Sequence, residues 1–371
     1  MKIGIFGGTF NPFHNDHLKI IINIKKKFDF DEIWVLPTNQ NPFKSIQPIS
    51  DTQRLEIINL FIKKYKFIKV KDYELKNKEP SLTTNTVDYI VNKFPFDDFY
   101  LIFGDDQLTH FEKWENWENI VQKCKLIFVS RENQEMIDFN MLNKYNAQYF
   151  YYLQNQNISS TKIRCGNYKN INKKLIKYIN ENNLYWNEKL LNMLDEKRKE
   201  HCENVGIMCE QLAKKYREND SEFIKNSYIA GLLHDLTKQL EDKISTNILQ
   251  NYGKKYLSEP KPIWHGYTCY FYLKKALKYK NNEILNAIKH HTVGNIRMSF
   301  LDKIVFVGDK ISKERIWEGV EYYRDLAFKN LDKCFIELLN LQYKVAIEKH
   351  GKNNVGKGLI KHLNFWNNKN K

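Results

Sequence analysis

The apolar pattern of this chain changes near its middle, and that change limits the folds open to it. Short apolar runs in the first half predict strands at Lys2–Phe6, Glu32–Leu36, Phe67–Val70, Phe99–Phe103, Lys125–Val129 and Ala147–Tyr152. Stretches with helical spacing between them predict helices at Asp16–Lys27, Gln53–Tyr65, Thr84–Lys93 and Trp117–Lys123. Strands that alternate with helices favour a parallel sheet with right-handed crossovers. We therefore expect an α/β domain over residues 1–187.

Strand signals stop after about Asn187. Apolar spacing of three and four then predicts helices at Lys189–Lys215, Ser221–Leu233, Lys243–Asn251, Trp264–Tyr279, Glu283–His291, Leu301–Ser312, Gly319–Phe328 and Leu331–Lys349. The remaining segment, residues 351–371, is rich in glycine, lysine and asparagine and is expected to fray. Residues 188–371 are thus predicted to form an all-α domain.

Composition narrows the possible partners and compartment. Lys and Arg number 59 against 44 acidic residues, a net charge of +15 that attracts anions. Neither a dense arginine block nor a basic low-complexity tract indicates a nucleic-acid partner. The six cysteines form no C-x-x-C pair, which suits a reducing compartment. A secretory signal and an apolar run of about 18 residues are both missing, so we expect a cytoplasmic protein without a membrane partner.

A glycine pair at the start of the chain predicts a phosphate site. The strand ending near Phe6 runs into Gly7 and Gly8, and a helix is predicted to begin shortly afterwards. Glycines let backbone approach a ligand closely, and a helix N-terminus offers unpaired N–H groups to an anion. His14 and His17, three residues apart, can share one face of the first turn. Two surface histidines after a turn would be the alternative interpretation.

The string from Gly7 to His17, GGTFNPFHNDH, resembles the G-G-[ST]-F-x-P-x-H-x-G-H motif of Rossmann-type nucleotidyltransferases, especially nicotinate mononucleotide adenylyltransferases. Further matches follow in the order of that family. The proline-rich segment Pro37–Lys44, an arginine at Arg54 and the segment Ser81–Val87 are similar to three of its motifs. Phe103–Leu108, Trp114 and Ile158–Arg164 are similar to three more, so the resemblance covers roughly residues 1–186.

The resemblance implies transfer of AMP from ATP, with Mg²⁺, to nicotinate mononucleotide, giving deamido-NAD and pyrophosphate. Positioning and charge neutralisation would supply most of the catalysis. The catalytic residues that it implies are His14, His17, Lys44 and Arg164. The implied ATP-binding residues are Gly8, Thr9, Phe10, His17, Gly104, Asp106, Ser159, Ser160, Thr161 and Arg164. The implied mononucleotide-binding residues are Lys44, Thr83, Thr86 and Trp114.

Two alternative interpretations and one departure from the family motif bear on the adenylyltransferase assignment. Taken singly, Trp114 could be a core residue and Ser159 a simple helix cap. Phosphopantetheine adenylyltransferases share the opening motif, although the segment after Ser81 and Trp114 fit the pyridine-nucleotide branch better. Asp16 stands where the family usually has glycine, and a carboxylate there would repel a phosphate unless it caps the helix or faces outward.

Histidines and aspartates in the second half suit a metal site. Imidazole and carboxylate ligands in this number can hold one or two first-row metals and activate water for attack on phosphorus. Their order, H…HD…H…H…D, resembles the HD phosphohydrolases, and in particular a branch that includes symmetrical diadenosine tetraphosphate hydrolases. The ligands that the resemblance implies are His201, His234, Asp235, His265, His291 and Asp309. Iron or manganese is the expected metal, Asp235 the expected bridge, and Lys238 and Arg315 the expected phosphate contacts.

The preferred hypothesis is a bifunctional enzyme. One alternative makes the second half a regulatory nucleotide-binding module, and another makes the whole chain a nucleic-acid binder, which would show binding that falls steeply with salt. The choice between nicotinate and nicotinamide mononucleotide stays open, and a homo-oligomer is compatible with the sequence.

Overall fold

The computed structural model describes residues 1–39, 49–76, 82–130, 139–152 and 158–369. Its internal contacts divide the chain into two compact units, Met1–Ile179 and Asn180–Lys371. The division falls slightly before the domain boundary expected at residue 187. In the described ranges, no helix is both long enough and apolar enough to cross a membrane.

The first unit contains a six-stranded parallel sheet. Its strands are β1 (Lys2–Gly8), β2 (Glu32–Pro37), β3 (Ile68–Val70), β4 (Asp98–Gly104), β5 (Lys125–Ser130) and β6 (Gln148–Tyr151). They lie in the order β3-β2-β1-β4-β5-β6, and all six predicted strands are confirmed. The order reverses between β1 and β4, and ligands bind outside the carboxyl ends of strands at such a switch point.

Helices connect the strands of the first unit. They are α1 (Asn15–Phe28), α2 (Asp51–Ile62), α3 (Tyr73–Lys76), α4 (Thr83–Lys93), α5 (Trp117–Lys123), α6 (Phe139–Lys144), α7 (Ser160–Arg164) and α8 (Lys173–Glu181), with a 3₁₀ helix at Asp105–Lys113. The sequence predicted α1, α2, α4 and α5 to within a few residues. Apolar side chains of β1, β4 and β5, among them Ile3, Leu101 and Phe128, are buried in the core beneath the site.

The second unit is helical, as expected. Its helices are α9 (Trp186–Met193), α10 (Glu196–Tyr216), α11 (Ser221–Leu233), α12 (Asp242–Tyr252), α13 (Trp264–Phe271), α14 (Asn282–His290), α15 (Phe300–Ile311), α16 (Val320–Lys329), α17 (Leu331–His350) and α18 (Lys357–Lys369). Helices α10, α11, α14 and α15 pack against one another. Their facing residues, such as Val205, Cys209 and Val305, are fully buried.

Two helix predictions for this unit were wrong. The single helix expected at Lys189–Lys215 is divided between α9 and α10, because Leu194 is extended and the Asp195 carboxylate accepts a hydrogen bond from the Arg198 amide at 2.7 Å. An aspartate at that position caps a new helix. The C-terminal segment does not fray, because α18 buries Leu359, Leu363 and Trp366.

Candidate active sites

A cleft of about 580 Å³ opens at the carboxyl ends of β1 and β4. Most of the residues that the sequence assigned to the adenylyl-transfer site line it. These are Gly8, Thr9, Phe10, His17, Thr83, Thr86, Gly104, Asp106, Trp114, Ser160, Thr161 and Arg164. His14 and Ser159 do not line it, and Lys44 lies outside the described residues, as does Ser81.

A buried arginine donates a hydrogen bond to the backbone of the glycine loop that follows β1. Arg54 of α2 is 0% exposed, and its Nη1 donates hydrogen bonds to the carbonyls of Thr9 at 2.9 Å and Thr38 at 2.6 Å. Its Nη2 donates to Asp51 at 2.6 Å. The sequence marked Arg54 only by its place in a motif. In the structure it joins the ends of β1 and β2 beneath the cleft.

An aromatic ring packs closely against the second glycine of that loop. Phe10 has a φ of 48°, and a Cβ on Gly8 would lie 3.1 Å from its ring. A Cβ on Gly7 would meet no atom within 4 Å, and Gly7 lines the cleft. The backbone at Gly7 is therefore open to a ligand, whereas Gly8 makes room for Phe10.

The two motif histidines stack on each other at the start of α1. Their ring centroids are 3.8 Å apart with an interplanar angle of 27°. The His14 amide donates to His17 Nδ1 at 3.1 Å, so the neutral His17 ring carries its proton on Nε2. His14 is buried behind its neighbour. His17 is thus the member of the pair that offers an N–H donor at the cleft.

Asp16, the departure from the motif, is buried and does not line the cleft. Its side chain is 1% exposed, and one carboxylate oxygen lies 3.7 Å from Lys19 Nζ on the same helix. The side chain does not face outward, so the sequence alternative of a solvent-directed carboxylate does not apply. The nearby ammonium group offsets part of its charge.

Residues from the far end of the first unit line one side of the cleft. Ser160 Oγ donates to the Pro12 carbonyl at 2.9 Å, and Arg164 Nη1 donates to the Asn11 carbonyl at 2.7 Å. Arg164 Nη2 lies 3.3 Å from Thr161 Oγ1. Ser159 is the N-cap of α7, accepting from the Lys162 amide. Helix α7 and the glycine loop therefore form one hydrogen-bonded wall.

The opposite wall presents an acid and an aromatic ring. A Cβ on Gly104 would lie 2.3 Å from Asp106 Oδ1, so only glycine lets this carboxylate fold back over the end of β4. Trp114 packs on the edge of Phe103, with centroids 5.1 Å apart, and lines the cleft. The arrangement combines an acceptor suited to ribose hydroxyls with a surface suited to a planar ring.

Glu74 of α3 is a cleft residue that the sequence analysis missed. It is buried, it lines the cleft, and its Oε1 accepts a hydrogen bond from Thr86 Oγ1 at 2.9 Å. Thr86 therefore lies in the cleft with its hydroxyl directed to a carboxylate. Only its position shortly before the Ser81–Thr86 segment could have singled out this glutamate.

In the second unit, the six predicted ligands form one buried cluster. Asp309 Oδ1 lies 3.3 Å from His201 Nε2 and 3.6 Å from His234 Nε2. Asp235 Oδ2 lies 3.9 and 3.6 Å from the same two atoms. These four residues converge from α10, α15 and the turn after α11, which carries the adjacent pair His234 and Asp235.

The other oxygen of Asp235 faces the remaining histidines. Its Oδ1 lies 3.1 Å from His265 Nε2 and 3.6 Å from His291 Nε2, and these two nitrogens are 3.1 Å apart. Asp235 is accordingly shared between two groups of potential ligands. This geometry suits a carboxylate that bridges two ions.

Three of the four histidine rings, those of His201, His234 and His291, are oriented for metal binding through Nε2. His234 Nδ1 donates to the Gly231 carbonyl, and His291 Nδ1 donates to the Ile288 carbonyl, both at 2.6 Å. His201 Nδ1 contacts the Glu314 carboxylate. These anchors direct Nε2 toward the cluster. Within the described chain, the buried His234 Nε2 has no hydrogen-bond partner, so the residues fit a divalent metal ion.

Adjacent His290 is turned away from the cluster. Its Nδ1 lies 3.0 Å from Asp302 Oδ2 and its Nε2 accepts from Asn295 at 3.0 Å. These contacts join the end of α14 to the start of α15. The structure thus directs His291 to the cluster and His290 away from it.

Four cations surround the cluster. Arg198 Nη1 lies 3.0 Å from Asp235 Oδ2, and Arg315 Nη2 lies 2.7 Å from Asp309 Oδ1. Lys238 Nζ lies 3.0 Å from His265 Nδ1, and Lys310 Nζ lies 3.6 Å from Asp309 Oδ2. Lys238 and Arg315 were expected from the sequence, whereas Lys310 and Arg198, which lies one helical turn before His201, were not.

Burial and charge set the protonation states of the ligands. Burial acts to raise the pKa of Asp235, but the charges of His234 and His265 hold it well below its usual range. Burial likewise acts to raise the pKa of Asp309, but the adjacent imidazoles of His201 and His234 hold it well below its usual range. Burial lowers the pKa of His291 to about 4. An ionised carboxylate and a neutral imidazole are the forms that bind metals.

Comparisons with known proteins divide the chain in the same way. Residues 5–166 match the cytidylyltransferase-like family, and residues 198–314 match the HD domain family. A protein of Flavobacterium psychrophilum, named a probable nicotinate-nucleotide adenylyltransferase, is 37% identical over 50% of this chain and 99% of its own. A crystal structure from Clostridium acetobutylicum, described as a predicted HD superfamily hydrolase involved in NAD metabolism, is 28% identical, with a TM-score of 0.44 over 50% of this chain and 96% of that one.

One relative spans both domains. A protein of Mycoplasma genitalium, named a probable nicotinate-nucleotide adenylyltransferase/Ap4A hydrolase, is 30% identical over 348 residues, which are 92% of this chain and 97% of the relative. Its counterpart in Mycoplasma pneumoniae is 28% identical over 93% of this chain and 97% of its own. On that full-length match, the chain belongs to the two-domain nicotinate-nucleotide adenylyltransferase/Ap4A hydrolase family.

Proposed function

We propose that the first domain transfers AMP from ATP to nicotinate mononucleotide, forming deamido-NAD and pyrophosphate. The observation that carries the proposal is a single cleft lined by His17, Arg164, Asp106 and Trp114. The domain's likeness to named adenylyltransferases supports the same reaction. Since the substrate phosphate is itself the nucleophile, the reaction needs donors and positive charge rather than an enzymic nucleophile.

Each wall of the cleft has a role in this proposal. His17 would donate a hydrogen bond from Nε2 to the ATP phosphates, and the Arg164 guanidinium would neutralise their charge, with Ser160, Thr161 and the open backbone at Gly7 beside them. Asp106 would accept hydrogen bonds from ribose hydroxyls. Mg²⁺ would arrive with ATP, and Lys44 would add a further charge. Holding ATP and the mononucleotide in line contributes the rest of the rate enhancement.

Trp114 and the threonines would hold the mononucleotide. The exposed part of the Trp114 ring is suited to stacking on pyridine. Thr83 and Thr86, both on α4, also line the cleft. The buried Glu74 carboxylate, bonded to Thr86, places a negative group near this position. A direct comparison of nicotinate and nicotinamide mononucleotides is therefore part of the test.

The first experiment measures dinucleotide formation from ATP and each mononucleotide with wild-type protein, His17→Ala and His110→Ala. His110 is exposed on the 3₁₀ helix and does not line the cleft, so it is the matched control. Loss of the His17 donor should lower kcat by about 100-fold or more. Equal rates for wild type and His17→Ala would refute the site assignment.

We further propose that the second domain hydrolyses a nucleotide polyphosphate such as diadenosine tetraphosphate to ADP. The supporting observation is a buried cluster of four imidazoles and two carboxylates with guanidinium groups beside it. The side chains of Arg198 and Arg315 are 32% and 36% exposed, so they can turn to bind substrate phosphates. The full-length relatives named as Ap4A hydrolases support this substrate class.

The metal would be iron or manganese, and the residues that would hold it are His201, His234, Asp235, His265, His291 and Asp309. A divalent ion bound there supplies Lewis-acid activation of water and of a phosphoryl group. Arg198, Lys238 and Arg315 would bind and orient the polyphosphate, and the hydrogen bonds to Nδ1 would keep the imidazoles in place.

The second experiment measures metal content and ADP release from diadenosine tetraphosphate for wild type, Asp235→Asn and Asp242→Asn. Asp242 is an exposed aspartate at the start of α12, away from the cluster, and is the matched control. Asp235→Asn should lose both metal and turnover, while Asp242→Asn keeps them. Metal and nucleotide binding without turnover would instead support the regulatory module.

A further inference from the structure

One histidine of the cluster is anchored differently from two others. His234 and His291 each donate through Nδ1 to a carbonyl three residues earlier on their own segment. His201 instead directs Nδ1 to the side chain of Glu314, which is 113 residues away in the loop after α15. The orientation of His201 therefore depends on a carboxylate supplied by another element.

That carboxylate is itself held in place. Ser312, which is fully buried, donates through Oγ to Glu314 Oε1 at 2.7 Å. The side chain of Glu314 is 31% exposed and makes an ion pair only through His201 among the described residues. Contacts with His201 and Ser312 thus fix the Glu314 carboxylate beside the imidazole ring.

Arg324 of α16 fixes the backbone of the same loop. Its Nε donates to the Ile311 carbonyl at 2.9 Å, and its Nη2 donates to the carbonyls of Ser312 and Arg315, each at 2.8 Å. One guanidinium thereby closes the loop around Glu314. The loop also carries Arg315, whose Nη2 contacts Asp309 Oδ1.

We propose that Glu314 is a positioning residue that orients His201 for metal binding, and that Arg324 holds the loop that presents it. The proposal rests on the metal site proposed above. A carboxylate on Nδ1 fixes the tautomer with the Nε2 lone pair toward Asp235 and Asp309, and it makes the imidazole a stronger ligand. Removing such a partner typically weakens metal binding by about 10–100-fold.

The test measures Mn²⁺ binding to the full-length chain without nucleotide, from the electron paramagnetic resonance signal of the free ion. Glu314→Ala should weaken Mn²⁺ binding by about 10–100-fold. Glu314→Gln keeps an acceptor for Nδ1–H and should lose less. Glu318→Ala, an exposed glutamate of the same loop, is the matched control and should bind as wild type does.

A second measurement separates positioning from folding. In the presence of chelator, Glu314→Ala should unfold at the wild-type temperature, because a partly exposed ion pair adds little stability. Arg324→Gln should lower both the unfolding temperature and Mn²⁺ affinity. Wild-type affinity in Glu314→Ala would overturn the positioning role alone, whereas failure of wild-type protein to bind more Mn²⁺ than Asp235→Asn would overturn the metal site itself.

Discussion

The Arg54 guanidinium donates a hydrogen bond to the Thr9 carbonyl at 2.9 Å, and this bond joins helix α2 to the glycine loop that lines the cleft. The side chain is fully buried, so solvent does not reach it in the native protein. Arg54→Ala would leave the carbonyls of Thr9 and Thr38 unpaired in the interior. We expect it to lower the free energy of unfolding by about 3 kcal/mol, measured by denaturant unfolding.

Arg54→Lys gives a sharper form of this prediction. A lysine can keep the charge near Asp51 but cannot reach all three acceptors with one planar group. We expect part of the stability to return while adenylyl transfer stays impaired, because the loop is no longer fixed. Lys63→Ala, an exposed cation following the same helix, should alter neither. Full activity in Arg54→Lys would show that the loop needs no such support.

Gly104 and Asp106 should act as one unit in ATP binding. A Cβ at residue 104 would lie 2.3 Å from Asp106 Oδ1, so Gly104→Ala must displace the carboxylate. We expect Gly104→Ala and Asp106→Ala each to raise KM for ATP by about 10-fold, which corresponds to one charge-assisted hydrogen bond. Steady-state kinetics of the double variant should show no further loss. If the increases in KM for ATP were additive in the double variant, Gly104 and Asp106 would contribute to ATP binding independently.

The sequence predicted the sheet and most helices because their signals are local. All six strands are short apolar runs, and the helices repeat apolar residues every three or four positions. The capping role of Asp195 was overlooked because apolar spacing continues across it. Helix α18 was missed because its buried residues, such as Leu359 and Trp366, are spaced within a run dominated by lysine and asparagine.

The parts of the sites that the sequence did not predict depend on contacts between distant segments. Glu314 meets His201 across 113 residues, and Arg54 reaches Thr9 across 45. The spacing of residues along the sequence does not reveal such a pair. Glu74 and Arg198 were missed for the same reason, since each is identified only by a partner, Thr86 or Asp235, that folding brings close. Motif residues could be named in advance, but the side chains that hold them could not.

Arg198 should contribute to polyphosphate binding rather than to metal binding. Its guanidinium is partly exposed and lies 3.0 Å from Asp235 Oδ2, beside the proposed metal position. We expect Arg198→Ala to lower kcat/KM for diadenosine tetraphosphate by about 10–100-fold, the value of one or two charge-assisted hydrogen bonds. Metal content should be unchanged.

The control for Arg198 is its neighbour Lys197, which is exposed on the same helix. Lys197→Ala should hydrolyse the substrate at the wild-type rate. An Arg198→Ala variant that loses metal in proportion to activity would show that the arginine supports the cluster instead of the substrate.

The reactivity of the cysteines provides a test of the fold that is independent of both activities. Burial raises the pKa of the Cys124 and Cys334 thiols to about 12, and Cys202, Cys209 and Cys269 are also buried. Of the six cysteines, all within the described ranges, only Cys165 is partly exposed.

Since the thiolate is the reactive form, a thiol reagent at neutral pH should modify one cysteine in the native protein and all six after denaturation. Cys165→Ser should abolish modification of the native protein. ATP should slow the modification of Cys165, because this cysteine directly follows Arg164, which lines the cleft. Rapid modification of Cys209 in the native protein would contradict the packing of α10 against α15, which encloses this thiol.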